Sequence, residues 1–291
     1  MKEAKLSLQN VSYVYSAGTP FEIQALDHVN VEIGAGIITG IIGHTGSGKS
    51  TLVQLFNGLL KPDEGKILLD GKDIWEKPKD IYKIRFRVGL VMQYPEYQLF
   101  EETVEKDIAY APINMGCSTE EVTKRVTEAA AFTGLSSEIL AKSPFDLSGG
   151  QKRRAAIAGI MAMLPEVLVL DEPAAGLDPR GKKEILTGIR NYQEKTGATV
   201  ILVSHSMEDM AKYCDDLIVM SDAKVVMQGN CDQIFSKAAY LSQIGLDVPG
   251  ITRMMQIIKQ SGMDVNDNVY TLEAAKQELC ALFEKNKKIM D

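Results

Sequence analysis

The chain has 291 residues, and 32 Lys and Arg against 39 Asp and Glu leave a formal charge of −7. A hydrophobic fraction of 45% with 24% charged residues is globular, which excludes disordered, collagen-like and fibrous classes. The acidic balance, with no basic run longer than Lys152-Arg153-Arg154, argues against a protein that tracks a nucleic-acid backbone. No apolar stretch approaches the roughly 20 residues of a bilayer-spanning helix, and the first ten residues carry charges without the apolar core of a secretory signal. The chain is therefore expected to stay in the cytosol without crossing a membrane by itself. Cys117, Cys214, Cys231 and Cys280 are scattered, so reduced, unligated thiols are expected.

In chain order, residues 5–11 and 29–33 alternate apolar with polar side chains, as half-buried strands do. Residues 37–42 are nearly all apolar, the pattern of a parallel strand covered on both faces. A glycine loop at 43–48 leads into a helix predicted over 50–60, closed by the Pro/Gly-containing segment 61–65. Strands follow at 66–69 and 88–92. From about Gln93 to Leu147 the spacing turns helical, as in Val122, Val126, Ala129 and Ala130, which predicts a helical insert. Strands return at 167–170, 199–203, 217–220 and 224–227 with helix-length segments between them, the alternation of a mostly parallel α/β sheet. That domain closes near residue 235. Ile251, Met254, Met255 and Ile258, then Leu272, Ala275, Leu279 and Leu282, recur at helical spacing, so the expected division is 1–240 and a small helical domain over 241–291.

Gly43-His44-Thr45-Gly46-Ser47-Gly48-Lys49-Ser50-Thr51 matches G-x-x-x-x-G-K-[ST] between a buried strand and a helix, the context of a phosphate-binding loop. Glycines let backbone N–H groups turn inward around phosphates, and the helix start adds its positive end. Lys49 is expected to contact the β- and γ-phosphates and Ser50 to ligate Mg²⁺. The strand at 167–170 ends in Asp171 and Glu172, at the carboxyl edge where open α/β sheets bind ligands. Asp171 is expected to hold Mg²⁺ through water and Glu172 to polarise the attacking water. Leu147-Ser148-Gly149-Gly150-Gln151 reads locally as a helix start: Ser148 caps, Gln151 stands at the capping-box position, and the double glycine exposes N–H groups to an anion.

The same five residues resemble the signature of ATP-binding cassette (ABC) proteins, and the family's other motifs follow in order over roughly residues 5–235. The resemblance implies an ABC-type P-loop NTPase with a mostly parallel core sheet, an antiparallel β subdomain and a helical subdomain. Gln93 resembles the glutamine-loop residue that touches Mg²⁺ and water, Ala175-Gly176-Leu177-Asp178 the D-loop, and His205 the switch histidine at the γ-phosphate. Tyr15 resembles the aromatic that stacks on adenine, with Tyr13 and Phe21 as rivals. His28 and His44 have no comparable support and are read as surface or loop residues, His44 entering the site as a member of the 43–51 loop. The family implies two cassettes facing head to tail, with Ser148, Gly149, Gly150, Gln151 and Asp178 acting in trans on the partner's ATP. The partner is a second copy or a paralogue.

Within that family, the 93–116 segment, with Tyr94-Pro95-Glu96-Tyr97-Gln98 and Glu101-Glu102-Thr103-Val104, resembles the ATPases of energy-coupling factor transporters, particularly the second of two paralogous subunits. Those importers take up vitamins or transition-metal ions. The resemblance implies a peripheral position on the cytoplasmic face of the cell membrane and small substrate-capture (S) membrane proteins. It also implies an integral coupling (T) protein, expected to dock near Glu96, Glu101, Glu102 and Glu105, and a C-terminal helical dimer contact. The alternatives are the ATPase of a conventional ABC nutrient or metal importer and a soluble cassette ATPase acting on nucleic acid.

Overall fold

The computed structural model describes residues 4–290. Its strands are β1 (Ala4–Tyr15), β2 (Ile23–Gly34), β3 (Ile38–Gly43), β4 (Glu64–Leu69), β5 (Lys72–Asp73), β6 (Val88–Val91), β7 (Val167–Asp171), β8 (Thr199–Val203), β9 (Asp216–Ser221) and β10 (Lys224–Asn230). The helices are α1 (Lys49–Phe56), α2 (Ile81–Arg87), α3 (Val104–Asn114), α4 (Thr119–Thr133), α5 (Ser137–Leu140), α6 (Gly149–Met161), α7 (Pro179–Thr196), α8 (Met207–Tyr213), α9 (Cys231–Phe235), α10 (Ala238–Gln243), α11 (Gly250–Gln260) and α12 (Leu272–Met290). Among the described residues no helix is long and apolar enough to cross a membrane.

A six-stranded sheet runs in the order β10-β9-β3-β8-β7-β6, parallel throughout except for the antiparallel edge strand β10. Every residue of β3, β7 and β8 is buried, because both faces of the sheet are covered. Strand alternation divides those residues between two cores. Ile38, Ile42, Leu168, Leu170, Val200 and Leu202 face the helices, including α6 and α7. Ile41, Val167, Val169, Ile201 and Val203 face α1 and the antiparallel sheet, ordered β2-β1-β4-β5. Because β3, β8 and β7 are neighbours in register, the loops after Gly43, Asp171 and Val203 all emerge at one carboxyl edge.

Several boundaries differ from the sequence expectation, each for a local reason. Strands β1 and β2 are longer than the alternating stretches, since bulges between them interrupt the two-residue period. Helix α1 stops at Phe56, four residues short, where Asn57 caps it, donates to the carbonyl of Val88, and is followed by Gly58 at φ +67°. Strand β5 and helix α2 were not anticipated, being too short for a periodic signal. In the C-terminal helices, Met255, Val265, Val269 and Ala275 form a small core flanked by Ile251, Ile258, Leu279 and Leu282, while Met254 stands 48% exposed rather than on that face. Cys214 and Cys231 are buried, Cys280 is exposed, and all four cysteines are free thiols.

Helices α4 and α7 approach so closely that a β-carbon on Gly188 would lie 1.9 Å from the carbonyl oxygen of Phe132. An alanine gains about 1 kcal/mol of helix propensity over glycine, yet a backbone clash cannot be relieved by a rotamer change. Gly188→Ala is expected to lose about 1 to 3 kcal/mol net, read as a lowered melting temperature.

Candidate active site

The loop after β3 is built around glycines for two separate reasons. Gly46 and Gly48 adopt φ of +83° and +101°, which side chains with a β-carbon disfavour. A β-carbon would also lie 2.4 Å from the Ala25 carbonyl oxygen at Gly48, and 2.5 Å from that of Met220 at Gly43. The loop delivers the chain into α1 with no side-chain cap, so the first N–H groups of the helix stay available to an anion. Lys49 is buried and its Nζ donates to the carbonyls of Gly43 (2.7 Å) and His44 (2.9 Å). Burial lowers its pKa, opposed by the nearby carboxylates of Glu172 and Asp171.

Two carboxylates close the opposite wall. The Ser50 hydroxyl donates to Asp171 Oδ2 at 3.0 Å, tying the first turn of α1 to the end of β7. Burial pushes the Asp171 carboxyl up, against the Ser50 bond and the Lys49 charge. Glu172 sits at φ +52°, a strained conformation for a glutamate, fixed by its N–H donating to the Val203 carbonyl at 3.1 Å. Its Oε1 is fully buried without a hydrogen-bond partner and lies 3.5 Å from His205 Nε2. Burial, then the adjacent Asp171 charge, push the Glu172 carboxyl up to about 7. Burial, then the Lys49 charge, lower the pKa of His205, against Asp171.

These groups share a cleft of about 420 Å³, lined by Tyr15, Thr45, Gly46, Gly48, Lys49, Ser50, Thr51, Gln93, Asp171, Glu172 and His205. Of the three aromatic candidates only Tyr15 lines it, with its hydroxyl 3.3 Å from Thr51 Oγ1 and Tyr13 packed edge-on against it at 4.9 Å. Phe21 is 80% exposed and outside the cleft. Ser47 is wholly buried, its Oγ unpartnered, and does not line the cleft. His44, in the loop, has Nδ1 2.9 Å from the Thr45 carbonyl and Nε2 3.4 Å from Ser221 Oγ at the end of β9. His28 pairs with Asp27 at the surface.

The signature residues lie outside their own chain's cleft. Ser148 caps α6 by accepting from the Gln151 N–H (3.3 Å), and Gln151 Oε1 accepts from the Ser148 N–H (3.0 Å), the capping box the sequence predicts. A β-carbon on Gly149 would meet nothing within 4 Å, so this helix start is open. Asp178 caps α7 through the Gly181 N–H at 2.9 Å.

The acidic face after Gln93 needs correcting. Glu96 points inward to Arg153, which is 6% exposed, and is not free to receive a basic partner. Glu102 is exposed and pairs with Lys106 one turn on, Glu105 is exposed, and Glu101 is half-buried. Sequence reading also missed the exposed aromatics beside them: Tyr94, Tyr97, Phe100 and Tyr110, the last two edge-on at 4.9 Å. Four aromatics clustered between 94 and 110 among several acidic residues were the available signal. At the amino edge of the sheet, far from this chemistry, Lys5 and Arg87 pair with Asp70 and Glu166. That network holds the Glu166 carboxyl down at about 2, through Arg87 first. Its partial exposure makes it worth little in stability.

The sequence family described as ABC transporter matches residues 26–175, and one described as AAA domain, putative AbiEii toxin, Type IV TA system matches residues 141–210. The energy-coupling factor transporter ATP-binding protein EcfA2 of Clostridium acetobutylicum is 51% identical over 284 residues, covering 97% of this chain and 99% of that protein. The structure of cbiO1 from Clostridium perfringens, part of the ABC transporter complex cbiONQ, superposes with a TM-score of 0.74 at 40% identity, covering 88% of this chain and all of that one. The dimeric, post-hydrolysis structure of the ATP-binding cassette MJ0796 with ADP and Pi gives a TM-score of 0.70 at 29% identity, covering 77% of this chain and 98% of that one. The fold is accordingly the ABC-type P-loop NTPase that the motifs predict. The chain belongs to the energy-coupling factor transporter ATP-binding proteins of the ABC transporter family.

Proposed function

We propose that the cleft hydrolyses ATP with Glu172 as general base, and that this turnover drives an importer of vitamins or transition-metal ions. The observation that carries the chemistry is the unpartnered, buried Oε1 of Glu172, beside His205 and next to an aspartate already bonded to Ser50. In this reading Tyr15 stacks on adenine, the 43–51 loop wraps the phosphates, and Lys49 leaves its carbonyl partners for the β- and γ-phosphate oxygens. Glu172 takes or orients the proton of the attacking water, and His205 stands at the γ-phosphate.

Ser50 and Asp171 are oxygen donors 3.0 Å apart with Gln93 in the same cleft, a donor set that fits Mg²⁺. When bound there, Mg²⁺ neutralises charge on the β- and γ-phosphate oxygens. The open start of α6 supports the head-to-tail pairing, in which Ser148, Gly149, Gly150, Gln151 and Asp178 reach the partner's nucleotide.

The exposed aromatics at 94–110, with Glu102 and Glu105, support docking to basic residues of an integral coupling protein at the cytoplasmic face of the membrane. The small core enclosed by α11 and α12, apart from the main core, supports a separate dimer contact in the 241–291 region. Purification of the tagged chain from its native membranes in mild detergent tests the whole reading. Recovery with a second cassette, a larger coupling protein and small hydrophobic proteins supports it; recovery alone in the soluble fraction overturns the transporter part. Glu102→Lys with Glu105→Lys is expected to leave the chain folded, because the Glu102–Lys106 pair is exposed, and to remove the coupling protein from that purification. Undiminished co-purification rejects docking on this face.

A further inference from the structure

Glu96 and Arg153 are joined more closely than an ordinary surface pair. The guanidinium Nε donates to Glu96 Oε2 at 3.2 Å and a terminal nitrogen donates to Oε1 at 3.0 Å, a two-bond fork. The same terminal nitrogen donates to the backbone carbonyl of Gln93 at 3.3 Å. Arg153 stands on α6 one turn beyond Gly149, and Gln93 lines the nucleotide cleft. Between them, the short turn Pro95–Gln98 is flanked by exposed Tyr94 and carries exposed Tyr97. One buried side chain thus joins the cleft, the aromatic surface and the signature helix. Burying an ion pair is a poor way to gain stability, because desolvation offsets the attraction. Its fixed planar geometry, which a lysine cannot reproduce, is what distinguishes it.

We propose that Arg153 is a positioning residue for ATP turnover: it fastens residues 93–96 to the signature helix, so that Gln93 and Ser148–Gly150 keep one relative geometry and a displacement at Tyr94 and Tyr97 moves both. This deepens the function proposed above and rests on its assignment of Gln93 and the signature to the nucleotide site.

The test is a double-mutant cycle on the full chain with whatever partners it retains from the membrane: Arg153→Lys, Glu96→Gln and the double variant. Turnover is expressed per nucleotide-binding site, counted by bound ATP. Each single change is expected to lower kcat about tenfold with KM for ATP within twofold, and the double to be no slower than the slower single. A pair that only stabilises the fold would lower the melting temperature and the number of binding sites while leaving kcat per site unchanged. Unchanged kcat per site in both singles, or losses that multiply in the double, overturns the proposal. Should Arg153→Lys not fold, the isosteric Glu96→Gln decides alone by kcat per site. The transporter reading fails separately: it falls if the unaltered chain brings no membrane partner, whereas the cycle is read in the chain's own turnover.

Discussion

Glu172→Gln is expected to cut ATP turnover by about 10²- to 10⁴-fold, the usual worth of a general base, while ATP binding survives. The amide is isosteric with the carboxyl and keeps the main-chain bond to Val203 that fixes the strained backbone at this position. What it loses is the ability to accept a proton. Equilibrium binding of ATP beside single-turnover hydrolysis separates the two effects, and wild-type hydrolysis in the variant removes Glu172 from the proposed role.

The environment of the same carboxyl makes two pH predictions. With a folded-state value of about 7, the ionised fraction of a general base here falls as pH drops through that value, and turnover falls with it. That acidic limb is expected to vanish from the residual activity of Glu172→Gln. Stability moves in the opposite sense to that of a salt-bridged carboxylate. Because the folded value lies above the ordinary 4.5, the folded chain holds this proton more tightly than the unfolded chain. Stability is therefore lost as pH rises from about 4.5 to about 7, and the loss stays constant above. Glu172→Gln is accordingly expected to be more stable than the unaltered chain at pH 8, by on the order of 1 to 3 kcal/mol, and close to it near pH 4.5. Equal melting temperatures at pH 8 reject the buried, charge-crowded state of this carboxyl.

The residues at the cleft were legible because their signal is local. A phosphate loop is a run of consecutive residues, and β3, β7 and β8 announce themselves by largely apolar sequence, so Lys49, Ser50, Asp171 and Glu172 could be assigned to one edge in advance. The capping box at Ser148 and Gln151 is likewise written within four residues. Misreadings arose where a distant partner decides. Glu96 reads as part of an acidic docking face, and only the fold brings Arg153, on another helix, against it. His44 lies in its loop as read, and its tie to Ser221, which depends on β3 and β9 being neighbours, adds a contact that no local motif announces. Among the aromatics, Tyr13, Tyr15 and Phe21 are equivalent as letters; the paired strands β1 and β2 set Tyr15 alone at the cleft wall.

Ser148→Arg is expected to lower turnover at the site it faces at least about 10²-fold without weakening ATP binding by the chain that carries it. Ser148 does not line its own chain's cleft, so its loss leaves the 43–51 loop and Lys49 as they are. Losing the cap costs roughly 1 kcal/mol, too little to unfold a domain of this size. The damage falls on the open surface at Gly149, where a long cation obstructs a facing nucleotide site. Combination with Lys49→Ala reveals which chain that site belongs to. Where the second cassette is another copy, mixing Ser148→Arg chains with Lys49→Ala chains restores activity, because one of the two sites then joins an intact loop to an intact signature. Where it is a paralogue, Ser148→Arg here and loss of the matching lysine there strike one site, and together they are no worse than apart. In either case both changes in one chain strike two different sites and abolish turnover. A signature acting in cis gives neither pattern, since each change then disables its own chain and mixing two copies recovers nothing.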